Sequence, residues 1–233
     1  MKIIITGATK GIGRAITNIF AKNGFDLALC ARTQADLDQC KTDLQKEFPT
    51  IEILTKVVDV SKKEEVLSFA DFVKSKWSKV DILMNNAGVF LPGEIANEED
   101  GKLESQIETN LYSAYHLTRA ILPIMLPQKA GHVFNMCSIA SKIAYPNGGS
   151  YSISKFALLG FSKVLREEMK DKGIRVTSIL PGATWSASWA GVDLPESRLA
   201  KAEDIAKVIW SAWELSDSAV LEEVVIRPQL GDL

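Results

Sequence analysis

A tyrosine and a lysine four residues apart, Tyr151 and Lys155, are the side chains in this sequence best suited to acid–base chemistry. On a helix, residues i and i+4 share a face with Cβ atoms roughly 5–6 Å apart, so a phenol and an ammonium would lie side by side. A free tyrosine has a pKa of about 10, and an adjacent cation favours the phenolate and lowers that pKa toward neutrality. The spacing therefore predicts that Tyr151 exchanges a proton with a substrate.

This spacing alone is a weak signal, because tyrosine and lysine are common on helix surfaces. Two further features strengthen it. The apolar run over residues 132–138 predicts a strand that ends in a hydroxyl, so Ser138 is expected to face Tyr151. The chain also opens with a strand, a glycine-rich turn over residues 6–13 and an amphipathic helix. Glycines in such a turn let main-chain N–H groups at a helix start approach a pyrophosphate.

The elements that must position these residues follow from hydrophobic periodicity. Apolar runs alternate with helical periodicity, which is the pattern of a parallel sheet covered by helices on both faces. Ser61 and Glu64 predict a capping box at one helix start, and Asn23 and Gly24 predict the end of the first helix. The pattern supports a doubly wound α/β fold. Strands are predicted near residues 2–6, 26–31, 51–58, 80–85, 131–138, 174–180 and 222–227.

Composition limits the classes of protein and partner. The 233 residues, 46% hydrophobic and 24% charged, suit one globular domain. A net charge of −2 argues against nucleic acid or an anionic membrane surface as the main partner. No run of about 18 apolar residues is present and the N-terminus enters a strand pattern directly, which predicts a cytoplasmic protein. The 3 cysteines predict reduced thiols, and the 2 isolated histidines give no support for a metal site.

Taken together, the motifs resemble the short-chain dehydrogenase/reductase family, in particular its NADP-dependent carbonyl and 3-oxoacyl reductases. The resemblance implies one Rossmann-type NAD(P)-binding domain over residues 1–233, with a seven-stranded parallel sheet in the order 3-2-1-4-5-6-7, helices on both faces and a short substrate lid near residues 184–200. It also implies a homodimer or homotetramer. The matching residues are the turn 6–13, Asp59, Val60, the segment 85–88, Asn110, Ser138, Tyr151, Lys155, Pro181 and Gly182.

The choice of cofactor depends on the residue after the second predicted strand. An acidic residue there binds a ribose 2′-hydroxyl, whereas a basic one accommodates a 2′-phosphate. The sequence has Arg32 at this place, and Lys10 in the glycine-rich turn supplies a second cation. In the family this basic pair implies NADP(H) rather than NAD(H). The alternative is that both are solvated surface charges.

The resemblance assigns cofactor contacts to several segments of the chain. Asp59 and Val60 would bind the adenine end, and Thr184 the carboxamide or the diphosphate. Asn85 is instead predicted to stabilise a strand. The predicted cofactor-binding set is Gly7, Thr9, Lys10, Gly11, Ile12, Gly13, Arg32, Asp59, Val60, Asn86, Ala87, Gly88, Tyr151, Lys155, Pro181, Gly182 and Thr184.

The same resemblance makes Ser138, Tyr151, Lys155 and Asn110 the catalytic residues. Tyr151 would be the general acid, Ser138 would hydrogen-bond the same oxygen, and Lys155 would lower the tyrosine pKa. Asn110 interrupts a predicted core-facing helix over residues 103–121; an asparagine there often points to solvent, but in the family it holds a water near the lysine. The predicted substrate pocket consists of Phe90, Leu91, Ile143, Tyr145, Trp185 and Trp189.

The expected function is transfer of a hydride from NADPH to a ketone or aldehyde carbonyl, with 3-oxoacyl compounds among the candidate substrates. An NADP-dependent dehydrogenase that oxidises a secondary alcohol or hydroxy acid would use the same residues. A non-catalytic NADP-binding regulatory protein is a further alternative, and the complete catalytic set argues against it. The substrate stays open, because the segment after Thr184 and the end of the chain match the family least.

Overall fold

The computed structural model describes residues 1–185 and 195–232. Its strands are β1 Lys2–Thr6, β2 Asp26–Ala31, β3 Ile53–Val57, β4 Ile82–Asn85, β5 Gly131–Met136, β6 Ile174–Pro181 and β7 Glu223–Ile226. They form one seven-stranded sheet in the order β3-β2-β1-β4-β5-β6-β7, with every neighbouring pair parallel. The predicted fold class and strand order are confirmed, although β3 and β4 are shorter than the predicted strands.

Helices cover both faces of this sheet. They are α1 Gly11–Lys22, α2 Gln34–Glu47, α3 Lys63–Lys76, α4 Lys102–Ile107, α5 Ser113–Met125, α6 Gly149–Met169 and α7 Ala202–Trp213. One core joins the sheet to α1, α2 and α7, and the other joins it to α3, α5 and α6. This arrangement follows the alternation of strand and helix patterns along the chain.

The isoleucines of β1 show why the sheet is buried on both faces. Ile3 and Ile5 pack with Phe20 on one face, whereas Ile4 packs with Phe69 on the other. Successive side chains of a strand point to opposite faces, so a strand with two buried faces must be apolar throughout. All three isoleucines are fully buried, and each contributes about 1.5–3 kcal/mol to the free energy of folding.

The parallel arrangement brings the loops of the candidate site together. In a parallel sheet the carboxyl ends of all strands lie at one edge, and ligands bind where the strand order reverses. Here the order reverses at β1, which pairs with β2 on one side and β4 on the other. The loops after β1, β4, β5 and β6 therefore meet at this edge.

The predicted helix over residues 103–121 is divided by a π-helical turn. α4 ends at Ile107, and the π-helical turn Glu108–Tyr112 carries Asn110 before α5 begins. Leu103, which was predicted to face the core, is 39% exposed. A π-helical turn adds a residue to one helical turn and is frequent at functional sites. Asn110 is 1% exposed, so the solvent-facing alternative for this side chain is excluded.

The predicted capping box at Ser61 is wrong. α3 begins at Lys63, and no side chain from the described residues caps it. Ser61 donates instead to the Asp59 carboxylate, from its main-chain N at 3.1 Å and from its hydroxyl at 2.8 Å. A charged acceptor two residues upstream binds Ser61 more strongly than the helix terminus does. The predicted end of α1 is correct, since α1 stops before Asn23 and Gly24.

Two features are absent from residues 1–185 and 195–232, the part of the chain that the structure describes. No helix there is long and apolar enough to cross a membrane. In the same part of the chain, no group of three or more His, Cys, Asp or Glu side chains could hold a metal ion. Cys30, Cys40 and Cys137 are free and buried, and burial raises the pKa of each thiol.

Candidate active site

The glycine-rich turn after β1 is held by the loop that follows β4. The Thr6 hydroxyl accepts from the main-chain N of Asn86 at 3.0 Å and of Ala87 at 2.9 Å. The Asn86 amide donates to the carbonyl oxygens of Thr6 and Gly7 at 2.9 and 3.1 Å. A Cβ on Gly13 would lie 2.0 Å from the Gly7 oxygen, so the turn requires glycine at this position. Four of the predicted cofactor-binding residues are thus brought together.

The start of α1 lies inside this turn and fits an anion. Lys10 precedes the helix in an extended conformation, and no side chain from the described residues caps the first turn. The first turn also contains no acidic residue. Free N–H groups at a helix start form a binding site for phosphate. Thr9, Gly11 and Ile12, all predicted cofactor contacts, lie at this start.

The two cations predicted to select the cofactor lie at the outer end of the same edge. Arg32 follows β2 directly and is exposed. Lys10 is also exposed, and its Nζ lies 2.7 Å from Oδ2 of Asp36 in α2. The sequence prediction did not include Asp36. Its carboxylate would compete with a phosphate for Lys10.

Asp59 follows β3, lies next to the buried Val60 and is close enough to Arg32 for its charge to be felt. Burial alone would raise the pKa of Asp59, but the hydrogen bonds from Ser61 and the cations Lys62 and Arg32 hold it below its ordinary value. Asp59 is therefore ionised at neutral pH. A carboxylate of this kind can accept a hydrogen bond from an adenine amino group.

Lys155 and Asn110 meet beside Gly88 in the loop after β4. A Cβ on Gly88 would lie 3.1 Å from Asn110 Oδ1 and 3.3 Å from Lys155 Nζ. Lys155 is 4% exposed, and its Nζ donates to the Met136 carbonyl at 2.9 Å. Burial lowers the pKa of Lys155 to about 8, and Cys137 acts in the opposite direction. The lysine is thus a buried cation at the end of β5.

The Asn110 side chain links the loop after β4 to α6. Its Nδ2 donates to the Val89 carbonyl at 3.0 Å and to Ser154 Oγ at 2.9 Å, and its Oδ1 accepts from the Val89 N at 2.8 Å. The Ser154 hydroxyl donates in turn to the Tyr151 carbonyl at 2.7 Å. Both amide atoms of Asn110 are therefore bound to protein groups and fix the main chain beside the tyrosine.

Tyr151 is partly buried beside Ser138 and Phe90. The Phe90 ring meets the Tyr151 ring edge-on with centroids 4.8 Å apart, and Lys155 Nζ lies 5.8 Å from the Tyr151 centroid. Burial raises the pKa of Tyr151 to about 12, while the Ser138 hydroxyl acts to lower it. The structure does not show the lowered tyrosine pKa predicted from Lys155, because removing the phenolate from water outweighs the nearby cation.

Ser138 has an extended main-chain conformation, lies two residues after the end of β5 and is 9% exposed. Its Oγ accepts from the Ala140 N at 3.1 Å, and its own N donates to Ser141 Oγ at 3.2 Å. A hydroxyl has one donor hydrogen and two acceptor positions. The Ser138 hydroxyl can therefore still donate its hydrogen to an oxygen atom placed next to the Tyr151 hydroxyl.

Pro181 is the last residue of β6, and the turn that follows it contains Gly182 and Thr184. The Gly182 N donates to the Ile226 carbonyl of β7 at 2.7 Å. Thr184 is 8% exposed, and its hydroxyl donates to the Gly182 carbonyl at 3.0 Å. The threonine hydroxyl thus stabilises the turn itself.

The structure describes five of the six residues predicted to form the substrate pocket. Tyr145 lines an open, mainly apolar cavity of about 530 Å³ beside the start of α6, whereas the residues lining that cavity do not include Ile143 or Trp185. The Phe90 ring packs against the Tyr151 ring. Trp189 lies outside the described residues, as does much of the predicted lid near residues 184–200.

Two side chains that sequence reasoning missed hold the loops around Tyr151. Gln106 is fully buried and accepts from the main-chain N of Leu91 at 3.1 Å. The Glu98 carboxylate accepts from the N of Ser150 at 3.0 Å and from the Ser150 hydroxyl. Because Glu98 and Ser150 are 52 residues apart, no local pattern could have indicated this contact.

The sheet order defines a Rossmann-type fold, and Ser138, Tyr151, Lys155 and Asn110 form a candidate acid–base site at its carboxyl edge. Residues 1–195 match the model of the family described as short chain dehydrogenase. The chain belongs to this family of oxidoreductases.

Individual relatives agree with this assignment. The chain is 31% identical over 239 residues to a sepiapterin reductase of Chlorobaculum tepidum, covering 99% of this chain and 97% of the relative. An alcohol dehydrogenase of Thermococcus sibiricus, solved with 5-hydroxy-NADP, has a TM-score of 0.89 at 27% identity and covers 98% of this chain and 96% of its own. L-Sorbose reductase of Gluconobacter frateurii, solved with NADPH and L-sorbose, has a TM-score of 0.89 at 28% identity, with 97% and 95% covered.

Proposed function

We propose that the protein uses NADPH to reduce a ketone or aldehyde carbonyl. The observation that carries this proposal is the placement of a protonated Tyr151 beside Ser138 and Lys155, at the sheet edge that also holds the glycine-rich turn. Membership of the short-chain dehydrogenase family supports the reaction class. The relatives solved with NADP or NADPH compounds support the cofactor.

The groups at the sheet edge fit a dinucleotide with a 2′-phosphate. The free N–H groups at the start of α1 suit the diphosphate. The ionised Asp59 suits the adenine amino group, and Arg32 with Lys10 suits the 2′-phosphate. The loop after β4 and the turn after β6 would take the ribose and nicotinamide end, with Lys155 on the ribose.

NADPH, when bound, supplies the hydride. Negative charge develops on the carbonyl oxygen, and residues of the chain stabilise and protonate it. The Ser138 hydroxyl donates a hydrogen bond to that oxygen, and Tyr151 donates its proton to it. The Lys155 ammonium, 5.8 Å from the phenol centroid, stabilises the phenolate that remains.

Asn110 has a positioning role in this mechanism. Its amide holds Val89 and Ser154, and Ser154 holds the main chain of Tyr151. Since both amide atoms are bound to protein groups, a proton relay through the side chain itself has no support. A relay to water would start from the Asn110 main chain or from Lys155.

The alternative is an NADP-dependent dehydrogenase that oxidises a secondary alcohol or hydroxy acid, with Tyr151 as base. Burial raises the pKa of Tyr151 to about 12, so the phenol is protonated at neutral pH, which is the form that a reduction consumes. The direction of net turnover is set by the substrate and by the ratio of the two cofactor forms, and the same residues serve both directions. The remaining alternative is a regulatory protein that only binds NADP, and such a protein has no need of Ser138, Tyr151 and Lys155 together.

We also propose that the protein is a cytoplasmic homodimer or homotetramer with a small-molecule substrate. The outer face of α6 carries the half-exposed apolar side chains of Ile153, Phe156 and Val164, which suit a helix–helix contact between copies. The free, buried cysteines suit a reducing compartment. Light scattering after size exclusion tests the assembly, and a monomer at micromolar concentration would contradict it.

The test of the proposed function is NADPH oxidation with 3-oxoacyl thioesters, diketones, aldehydes, quinones and steroids. Wild-type protein should turn over one of these classes, and Tyr151→Phe should not. Cofactor carrying deuterium at the transferred position should deliver the label to the product. Tight NADPH binding without label transfer to any compound would instead favour the regulatory protein.

A further inference from the structure

The C-terminal tail, residues 227–232, returns to the carboxyl edge of the sheet and covers the turn after β6. Asp232 Oδ1 accepts a hydrogen bond from the main-chain N of Ala183 at 2.8 Å. A Cβ on Gly182 would lie 2.0 Å from this same oxygen. The Asp232 carboxylate therefore occupies the space that a side chain at position 182 would need. Position 182 thus requires glycine for steric reasons, in addition to any contact with the cofactor.

Two arginines from different segments hold Asp232 in this place. Arg227 Nε lies 2.6 Å from Asp232 Oδ2. Arg198 donates to the carbonyl oxygen of Gly231 at 2.7 Å and to that of Asp232 at 3.3 Å. Both the carboxylate and the main chain of Asp232 are thus fixed by charge-assisted hydrogen bonds, which are stronger than neutral ones.

The Asp232 carboxylate also acts on Tyr145. Burial raises the pKa of Tyr145, and the negative charge of Asp232 raises it further. Tyr145 lines the open cavity beside the start of α6. Asp232 therefore lies near both the turn after β6 and a residue predicted to contact substrate.

We infer that Asp232 is a positioning residue for the nicotinamide half of the cofactor. By holding the Ala183 N–H, it fixes the main chain of residues 181–184 against the nicotinamide end of the site. The tail contributes to the active site without touching the reacting atoms. This inference rests on the proposed function, because that function places the nicotinamide at this turn.

The test compares two ligands that share only the adenosine end. NADPH contains the nicotinamide, whereas adenosine 2′,5′-bisphosphate contains the adenine and the 2′-phosphate but not the nicotinamide. Asp232→Ala should raise the Kd of NADPH about tenfold, the effect of losing one charge-assisted hydrogen bond. The Kd of adenosine 2′,5′-bisphosphate should change less than twofold. Asp232→Asn, which keeps an oxygen acceptor for Ala183 but loses the ion pair with Arg227, should fall between wild type and Asp232→Ala.

A matched control and a second variant keep the result decisive. Asp171→Ala removes an exposed carboxylate that lies before β6, at the opposite end of this strand from the turn, and should leave both Kd values unchanged. If Asp232→Ala does not fold, as judged by its melting curve, Arg227→Gln should weaken NADPH binding alone, by about two- to fivefold.

Three results would overturn the inference. Equal weakening of both ligands would mean that Asp232 only stabilises the fold, and unchanged binding of both would mean that the turn does not need it. If wild-type protein binds neither ligand, the proposed function fails as well. If wild-type protein binds both ligands and the Asp232 variants bind them equally well, only the inference about Asp232 fails.

Discussion

The catalytic end and the phosphate end of the candidate cofactor site are built in different ways. At the catalytic end, Lys155 and Asn110 are 4% and 1% exposed, and each is bound to main-chain groups. At the phosphate end, Arg32 and Lys10 are exposed, and Lys10 forms a surface ion pair with Asp36. Buried hydrogen bonds impose one geometry, whereas exposed charges are mobile and screened by salt. The difference implies that the chemistry is fixed by the interior of the fold and that cofactor choice is adjusted at its surface.

The largest effect is expected at the catalytic end, from Tyr151→Phe. This change removes the proton donor but keeps the ring that packs on Phe90, so kcat should fall about 1000-fold. The Kd of NADPH should change less than about twofold, since the phenol hydroxyl is directed at substrate. Steady-state turnover and fluorescence titration measure the two quantities.

The matched control for this substitution is Tyr115→Phe, on the exposed surface of α5. It should retain wild-type kcat. Near wild-type turnover by Tyr151→Phe would show that Tyr151 is not the proton donor. The proposed difference between a buried end that fixes the chemistry and an exposed end that selects the cofactor would then lose its support.

The catalytic end was more predictable from sequence than the contacts that support it. The strand order was predicted with the family resemblance, and Ser138, Tyr151 and Lys155 follow from local spacing and the ends of apolar runs. Their supporting contacts join distant positions: Asn110 binds Val89 across 21 residues, and Asp232 binds Ala183 across 49. Periodicity reports which face of an element is buried, not which distant residue meets it.

The pKa of Tyr151 shows a second limit of sequence reasoning. The i, i+4 spacing correctly placed a cation near the phenol, at 5.8 Å from its centroid. The direction of the shift depends instead on how much water the packed chain leaves around the phenol, and burial raises the value to about 12. The Ser61 capping box failed for a related reason, because the competing Asp59 acceptor is set by loop geometry.

At the phosphate end, Arg32→Ala separates cofactor choice from chemistry. Loss of charge-assisted hydrogen bonds to a 2′-phosphate should lower the ratio of kcat/KM for NADPH over NADH about 10- to 100-fold. The kcat at saturating NADPH should stay within about twofold of wild type, because the catalytic end is untouched. Lys22→Ala, an exposed cation at the other end of α1, should leave the ratio unchanged. An unaltered ratio in Arg32→Ala would place the 2′-phosphate elsewhere.

The pH dependence of reduction tests the charge of Lys155. Its pKa is lowered to about 8 and that of Tyr151 is raised to about 12, so near pH 7 the lysine is charged and the phenol protonated. As the pH rises from 7 to 9, Lys155 loses its proton and kcat/KM should fall about tenfold. The neighbouring Cys137 has a raised pKa and should not contribute. A profile that stays flat to pH 9 would show that the lysine charge is not required.

Unfolding caused by deprotonation of Lys155 would not explain a fall in kcat/KM between pH 7 and 9. The pKa of Lys155 is lowered from 10.5 to about 8, so between these values the unfolded chain binds the extra proton. Stability rises with pH wherever the unfolded state binds more protons. The contribution of Lys155 to the free energy of unfolding therefore increases over the range in which the rate is expected to fall, and melting curves at each pH separate the two effects.

The smallest effect is expected from Asp36→Asn. The Lys10–Asp36 pair is exposed, with 68% and 30% of the two side chains accessible, so breaking it costs little stability. Releasing Lys10 to a 2′-phosphate should raise the ratio of kcat/KM for NADPH over NADH about two- to fivefold, and more at low ionic strength. Asp38→Asn changes an exposed carboxylate of the same helix and should leave the ratio unaltered.

A double-mutant cycle decides whether Asp36 acts through Lys10 or on the cofactor directly. If the two residues compete as the ion pair suggests, Asp36→Asn has no effect in a Lys10→Ala background, because no cation is left to release. If Asp36→Asn still raises the NADPH ratio in that background, the carboxylate repels the 2′-phosphate itself. A lowered ratio with Lys10 present would mean that Asp36 favours NADPH by holding Lys10 in position for the 2′-phosphate, and the ion pair would then be a fixed contact like those of the catalytic end.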